Sequence, residues 1–391
     1  MGINALATVR SLGRRGVPVH VVALKGSRQI ASASRYCTSH TQVPDRDALY
    51  AALSEFAQRH AGRPVLYVDN DAMIQLLAPH AAALQRHFRV VDPIGDARRL
   101  TDKAFQLHAA QQAGIAVPRT WFPASWAELN DIGRHTSKRL IAKPSPGGLG
   151  PGSSADFKVL VGASAQALAA QLRGCVASPE QVLVQEYIEG DDDRIHAGLC
   201  YRSGDGRCFV LSARKLRQTR PGAGVMAVGQ AVDTPEVRDM TRRLAEALEL
   251  RGALCTEFKL DPTDGKFYFI EWNPRPAYFQ SLGWKAGFDL AYLAYCDHVD
   301  ATRLPVGPYR DASRHYWINL RGDLQHFCMR PRLALRPATW LPYLRRKEWA
   351  VLAPDDLAPW ARSMTQLGGA PLKALVLLAA RSSRRAAASP T

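Results

Sequence analysis

The 391-residue chain is poor in cysteine, and its seven cysteines are not spaced for any shared role. Cys37, Cys175, Cys200, Cys208, Cys255, Cys296 and Cys328 are scattered, odd in number and free of any Cys-x-x-Cys pair. That excludes a disulfide framework or a zinc knuckle and fits reduced thiols in a cytoplasm. Long apolar runs are missing as well, with nothing near the roughly 20 residues that a membrane-spanning helix needs. The opening stretch MGINALATVRSLGRRG lacks an apolar signal core and reads as an amphipathic helix. Neither an internal repeat nor an alternation of aromatic and basic residues is present, so nucleic acid is not expected as a partner.

Acidic residues are the other shortage, 35 against 51 Lys and Arg, for a formal charge of +16. About half of that excess lies between Arg330 and Thr391. Such a tail suits an anionic substrate or a peripheral contact with anionic lipid through LKALVLLAARSSRR, and equally a merely arginine-rich composition. What is abundant is ordinary: 47% hydrophobic and 22% charged residues, a globular composition with length for two or three subdomains.

Up to about residue 97 the pattern alternates helix and strand. Leu6, Val9 and Leu12 have helical spacing, while Val17 to Leu24, Pro64 to Asp71 and Phe88 to Pro93 are short runs suited to buried parallel strands. This predicts an α/β subdomain of Rossmann-like type over 1–97. A strand normally precedes the first turn and helix of such a fold, so the first strand is expected to be absent or the start codon to be annotated late. A helix is predicted from Thr101 or Asp102 to Ala113, stopped by Gly114. Residues 98–300 then read as α+β, with a helix at Pro235 to Leu250 and a hairpin turned at Thr263-Asp264-Gly265. Residues 301–391 read as a basic, partly helical extension.

Three motifs carry chemistry. In FIEWNPRP, Glu271 and Asn273 stand two apart on one strand and share a face, and Glu257 in CTEFKLD sits across the hairpin. Two carboxylates and an amide oxygen make a hard-oxygen site suited to Mg²⁺, with Mn²⁺ the alternative ion. Arg275 follows on the same face and can clamp a phosphoryl group. In IAKPSPGGLGPGSS, Lys143 precedes a loop whose Gly148, Gly150 and Ser153 can wrap phosphate oxygens. This order is not that of a Walker A motif. In VLVQEYIEGDDD an apolar strand enters a linker, Glu186-Tyr187-Ile188, followed by acidic residues.

Taken in order, Lys103, Lys143 with its glycines, the QEYIEG linker and Glu257…Glu271-x-Asn273-Pro-Arg275 resemble the ATP-grasp superfamily, over about Leu100 to Gly287. Within it the chain looks most like the carboxylate–amine ligase group related to D-aspartate ligase and the carbamoyl-phosphate synthase large chain. The resemblance implies two lobes that grip ATP between antiparallel sheets. Lys103 and Lys143 would contact the phosphates, and Tyr187 and Ile188 would offer backbone groups to adenine. Asp193, with Asp192 as second choice, would hold the ribose. Glu257, Glu271 and Asn273 would bind Mg²⁺, Arg275 would steady the transferred phosphoryl group, and Arg214 and Arg217 would bind phosphate or a substrate carboxylate. The implied reaction activates a small-molecule carboxylate as an acyl phosphate and joins it to an amine, releasing ADP and phosphate. A carboxylate–thiol ligase and a non-catalytic ATP-binding scaffold at a membrane surface are the alternatives. The oligomeric state is not readable, a homodimer being compatible with everything above.

Overall fold

In the computed structural model, which describes residues 2–27, 29–60, 62–145, 157–305 and 315–365, the chain opens with a helix, Ile3–Gly13. Its Ile3, Leu6, Val9 and Leu12 are buried, as their spacing on one face requires. Strand β1 (His20–Leu24) follows and pairs in parallel with β2 (Ser39–Val43). The sequence reading misses β2 because its Ser-His-Thr-Gln start is exposed, as befits an edge strand without an apolar pattern. A second parallel pair, β3 (Val65–Leu66) and β4 (Arg89–Val90), completes the strands of the N-terminal segment. Helices Arg46–Arg59, Asp71–Leu77 and Ala81–His87 pack on these strands through Leu53, Ile74, Leu77 and Leu84. The Asn70 side chain caps Asp71–Leu77 by accepting from the Met73 N–H, which puts Asp71 in the first turn.

The predicted helix at Asp102 runs Lys103–Gln112, with the Asp102 carboxylate capping the Phe105 N–H. A small antiparallel sheet comes next, in the order β5 (Thr120–Trp121), β8 (Val182–Glu186), β6 (Leu140–Pro144), β7 (Leu160–Gly162). Leu140, Ala142 and Val184 close its core against Leu129, Leu168 and Leu172 of helices Trp126–Asp131 and Ala165–Leu172.

The main sheet has seven strands: β9 (Ile195–Arg202), β10 (Cys208–Gln218), β11 (Met226–Ala231), β12 (Gly252–Leu260), β13 (Phe267–Asn273), β14 (Tyr316–Ile318) and β15 (Lys347–Trp349). Their order is β13-β12-β9-β10-β11-β14-β15. Leu199, Tyr201, Ala253 and Cys255 face one core and Cys200, Val210, Leu254 and Phe258 the other, the period of two that a strand imposes. The first core includes the N-terminal helix and helix Leu290–Val299; the second lies under Lys103–Gln112 and Pro235–Ala247. With both faces covered, β9 is buried almost throughout, which erases the polar alternation a one-sided sheet would show. Strands β14 and β15 come from the Trp-, Pro- and Arg-rich stretch after residue 300, and three residues each are too few for a period to be read.

Gly252 joins the N-terminal segment to this sheet. Its φ is +115°, and a Cβ there would collide with the Val91 carbonyl oxygen, so only glycine permits the approach.

Candidate functional site

Strands β12 and β13 pair antiparallel with Glu257 directly opposite Glu271 and Cys255 opposite Asn273. Glu257 continues the face that carries Ala253 and Cys255. There the covering layer gives way to a cleft of about 870 Å³ between the small sheet and the main sheet. The two carboxylates and Asn273 therefore lie together on one wall of that cleft.

Both carboxylates are matched by lysines. Lys103 Nζ donates to Glu271 Oε2 at 2.7 Å, and Lys215 Nζ to Glu257 Oε2 at 2.7 Å. Lys215 reaches Glu257 from β10 across the intervening strand β9, where the short Ala197 stands opposite Glu257. The charge of Lys103 holds the Glu271 carboxyl well below the usual carboxylate range, against the opposing effect of burial. Lys143, on β6, faces the cleft from the small sheet; burial lowers its amine to about 8, with Glu271 working the other way. Lys158 also lines the cleft, and its charge is felt by both Glu271 and Lys143. This concentration of amines next to two carboxylates is the electrostatic signature of a site for a polyanion and a cation together.

Arg275 stands at the cleft mouth beyond the end of β13. Asp71 binds it by two hydrogen bonds of 2.7 Å, from Nε to Oδ1 and from Nη2 to Oδ2. Nη2 also approaches Asn273 Oδ1 at 3.5 Å.

The opposite end of the cleft is apolar. Ile141, Ile188 and Phe269 line it together with Tyr187. The Tyr187 N–H is occupied by the Arg139 carbonyl at 2.8 Å, whereas the Ile188 N–H has no backbone partner among the described residues. Of the backbone groups expected to meet adenine, the Tyr187 N–H is therefore taken, while the Ile188 N–H is not. The Tyr187 ring is flanked by Arg139 and Lys259, with Lys259 Nζ 4.4 Å from its centroid. Glu186 lines the cleft and meets Lys138 Nζ at 3.3 Å.

The acidic run is arranged differently from the expectation. Asp193 turns away from the cleft onto Arg214, Oδ2 to Nη2 at 2.6 Å, so it is not placed to hold a ribose. Asp191 and Asp192 line the cleft instead. Asp192 accepts from the Gln218 side chain and the Gly222 N–H, both at 2.8 Å, and so fixes the 219–225 loop over the cleft.

Arg217 is a second correction. It does not line the cleft; it is buried and bound to the fully buried Asp323 at 2.6 and 2.8 Å, with Phe327 beside its guanidinium. A bulge between Lys215 and Arg217 breaks the alternation that would have put both on one face. Gly148, Gly150 and Ser153 lie outside the described residues. Lys215, Lys158, Lys259 and Asp71 are cleft residues that the sequence reading does not single out. For Lys215, its parity with Ala213 on a buried strand is the signal that would have found it.

No model of a known protein family matches the chain. Among solved structures, it is similar to an N5-carboxyaminoimidazole ribonucleotide synthetase in complex with ADP: TM-score 0.62, 15% identity, 81% of this chain and 78% of that one covered. The Staphylococcus aureus N5-carboxyaminoimidazole synthetase, also complexed with ADP, aligns with TM-score 0.62 at 14% identity over 84% of each chain. The biotin carboxylase domain of the Hydrogenobacter thermophilus 2-oxoglutarate carboxylase, a dimer in complex with MgADP, ADP and bicarbonate, aligns with TM-score 0.60 at 18% identity over 81% of this chain and 71% of that one. At such identities the likeness establishes the fold, which is the ATP-grasp architecture behind an α/β segment that the sequence motifs lead one to expect.

Proposed function

We propose that the chain is a Mg-ATP-dependent ligase that phosphorylates a substrate carboxylate and passes the acyl group to an amine. The observation that carries this reading is the cross-strand pair Glu257–Glu271 with Asn273 beside it, in one cleft with Lys103, Lys143, Lys158 and Lys215. Among the described residues there is no cluster of three or more His, Cys, Asp or Glu that would enclose a metal by itself. Two carboxylates and an amide oxygen instead suit an octahedral ion that takes its remaining oxygens from phosphates and water. Bound there, Mg²⁺ would neutralise charge on the phosphates of the nucleotide.

The residues divide the remaining work. Lys103 and Lys215 pair with Glu271 and Glu257 and, once a cation takes over that role, are free to meet phosphate oxygens. Ile188 offers its N–H to the adenine edge within the apolar end of the cleft. Arg275, aimed by Asp71, stabilises the phosphoryl group in transit. An oxygen of the substrate carboxylate attacks the γ-phosphorus, the bond to the ADP oxygen breaks, and ADP leaves. The amine then attacks the acyl carbon, the carbon–oxygen bond to phosphate breaks, and phosphate leaves as the nitrogen loses a proton. Positioning and charge neutralisation suffice; no side chain becomes covalently bound.

Hydroxylamine trapping tests this. With Mg-ATP and a panel of amino acids, hydroxy acids, sugar acids and bicarbonate, we expect ADP release together with a hydroxamate or its bicarbonate counterpart for at least one donor. Both signals should vanish in Glu271→Ala. Absence of any Mg-ATP binding would overturn the proposal.

A further inference from the structure

Strands β9 and β10 are antiparallel neighbours, and their register sets Cys208 opposite Arg202 and Val210 opposite Cys200. Side chains directly opposite share a face, and so do residues two apart on one strand. Cys200 and Cys208 therefore stand diagonally on the face that packs under helix Pro235–Ala247. Cys200 is fully buried there, whereas Cys208 lies at the edge of that core and is only half-buried. Spacing along the chain does not relate these two cysteines; the strand register does. The thiols touch, with the Cys200 S–H donating to the Cys208 sulfur.

The two sulfurs are not equivalent. Cys208 reaches solvent and faces the guanidinium of Arg202, whose Nη1 donates to the Leu250 carbonyl at 3.2 Å. The Nε of Arg202 has no hydrogen-bond partner among the described residues. From the overlying helix Arg242 adds positive charge, and Glu246 opposes it. The hydrogen bond from Cys200 holds the Cys208 thiol below its ordinary pKa, and the same bond together with burial pushes the Cys200 thiol up. The thiolate is the nucleophilic form, so Cys208 is the sulfur that attacks. Cys200 is shielded from solvent yet in contact with it, the place of a resolving thiol.

We infer that Cys200 and Cys208 are a redox-responsive pair that closes to a reversible intrachain disulfide when the protein meets hydrogen peroxide. The Cys208 thiolate attacks one peroxide oxygen, the O–O bond breaks, and the hydroxide released takes a proton to become water. This leaves Cys208 as the sulfenic acid. The Cys200 sulfur then attacks the Cys208 sulfur, the S–O bond breaks, and the departing hydroxide takes the Cys200 proton as a second water. Two thiols are oxidised and one peroxide is reduced to two waters. Closure brings the sulfurs from hydrogen-bond contact to about 2 Å. Cys208 is the first residue of β10, and the turn before it contains Gly204 and Gly206, the latter at φ +88°. The movement falls on that turn rather than on the sheet. The loop closed is short, so the bond adds little stability and stays open to thiol exchange. Cys200 points to the opposite face of β9 from Ala197 and the cleft, which makes this chemistry independent of the nucleotide site.

Peptide mapping after peroxide treatment tests the pair. Arg202 and Arg207 lie between the two cysteines, so trypsin separates them and the disulfide shows as one cross-linked peptide pair. In the folded 391-residue protein we expect that pair as the main product of a small excess of hydrogen peroxide, lost again on adding dithiothreitol. Urea-unfolded protein should form it roughly tenfold more slowly, because the strand register no longer holds the thiols together. Cys200→Ala should leave a Cys208 sulfenic acid that dimedone traps, and Cys208→Ser should leave Cys200 a thiol. Should either variant fail to fold, the map of the unsubstituted protein decides alone. Three results there would overturn the inference: Cys208 oxidised while Cys200 stays a thiol, Cys208 joined instead to the exposed Cys328, or both still reduced when glutathione in the same tube is oxidised. Equal rates in the folded and unfolded protein would overturn it as well.

Discussion

Asp71, in the first turn of its helix, grips Arg275 through both carboxylate oxygens, although 204 residues separate them. The N-terminal segment therefore sets the direction of an arginine that belongs to the main-sheet motif. A fixed guanidinium loses less on meeting a transferring phosphoryl group than one that must first be ordered. We expect Asp71→Asn to lower kcat by roughly 10- to 100-fold while the KM for ATP stays within about threefold. Steady-state ADP release with the donor found by trapping checks this. A change confined to KM would assign Asp71 to nucleotide binding instead.

The Lys103–Glu271 pair predicts a pH signature. Lys103 depresses the folded-state pKa of Glu271, so the stabilisation is present above the ordinary carboxylate pKa and is lost as pH falls through the depressed value. Lys103→Met should accordingly destabilise the fold by on the order of 1 kcal/mol at pH 7 and by almost nothing in strong acid. Urea midpoints at pH 7 and at about pH 3 would show the difference, which should shrink toward the lower pH.

Lys143 has the opposite sign. Its folded-state pKa is lowered to about 8 by burial, so holding the charged amine disfavours the fold below that pH, and the penalty fades as pH rises toward the ordinary lysine value. Lys143→Met should stabilise the ligand-free protein at pH 7 by about 1 kcal/mol after allowance for its partial exposure, seen as a higher Tm, with little effect near pH 10. The same change should weaken ATP binding by about tenfold or more. A gain in stability coupled to a loss of affinity marks a charge held in place for a ligand.

Much of this site is legible from residue types because its chemistry is local. Glu271, Asn273 and Arg275 sit on a single strand and its exit, and an alternation of two is enough to place them together. The fold was readable for the same reason wherever an element was long, as in Lys103–Gln112 or β12 and β13. What escaped depends on long-range contacts. The Asp71 partnership joins two distant segments, and Lys215 reaches its carboxylate across a neighbouring strand. Which of Asp192 and Asp193 lines the cleft turns on a single short 3-10 turn, Asp192–Arg194, which no periodicity marks. Arg217 is expected in the cleft from the family resemblance alone, and the bulge after Lys215 turns it to the other side of the strand.

Asp92 sits under the junction between the N-terminal segment and the main sheet. It is 3% exposed, accepts from the Val68 N–H at 3.0 Å through Oδ2, and has no hydrogen-bond partner at Oδ1 among the described residues. Burial raises its pKa to about 7. A raised folded-state value means that its contribution is fully present below pH 4 and is lost as pH rises toward 7. Asp92→Asn keeps the acceptor and removes the charge. It should be nearly neutral at pH 4.5 and stabilising by on the order of 2 kcal/mol at pH 8. Thermal melts at the two pH values decide it; equal shifts at both would mean that Asp92 does not titrate in this range.

Arg217 offers the sharpest contrast with Arg275, since both are arginines of the predicted site and only one faces the cleft. Asp323 is fully buried and takes bonds from Arg217 and from the Tyr343 hydroxyl, the latter at 2.6 Å. Removing the guanidinium leaves that carboxylate without its counter-charge. We expect Arg217→Met to cost about 3–5 kcal/mol of stability, with Arg217→Met/Asp323→Asn recovering part of it. In whatever fraction remains folded, the affinity for Mg-ATP should be that of the parent protein, whereas Arg275→Met should leave stability nearly intact and abolish turnover. Urea unfolding and nucleotide titration of the three variants separate the two roles. A loss of turnover in the folded fraction of the double variant would return Arg217 to the catalytic set, because a purely structural ion pair has no reason to affect the reaction of molecules that are folded.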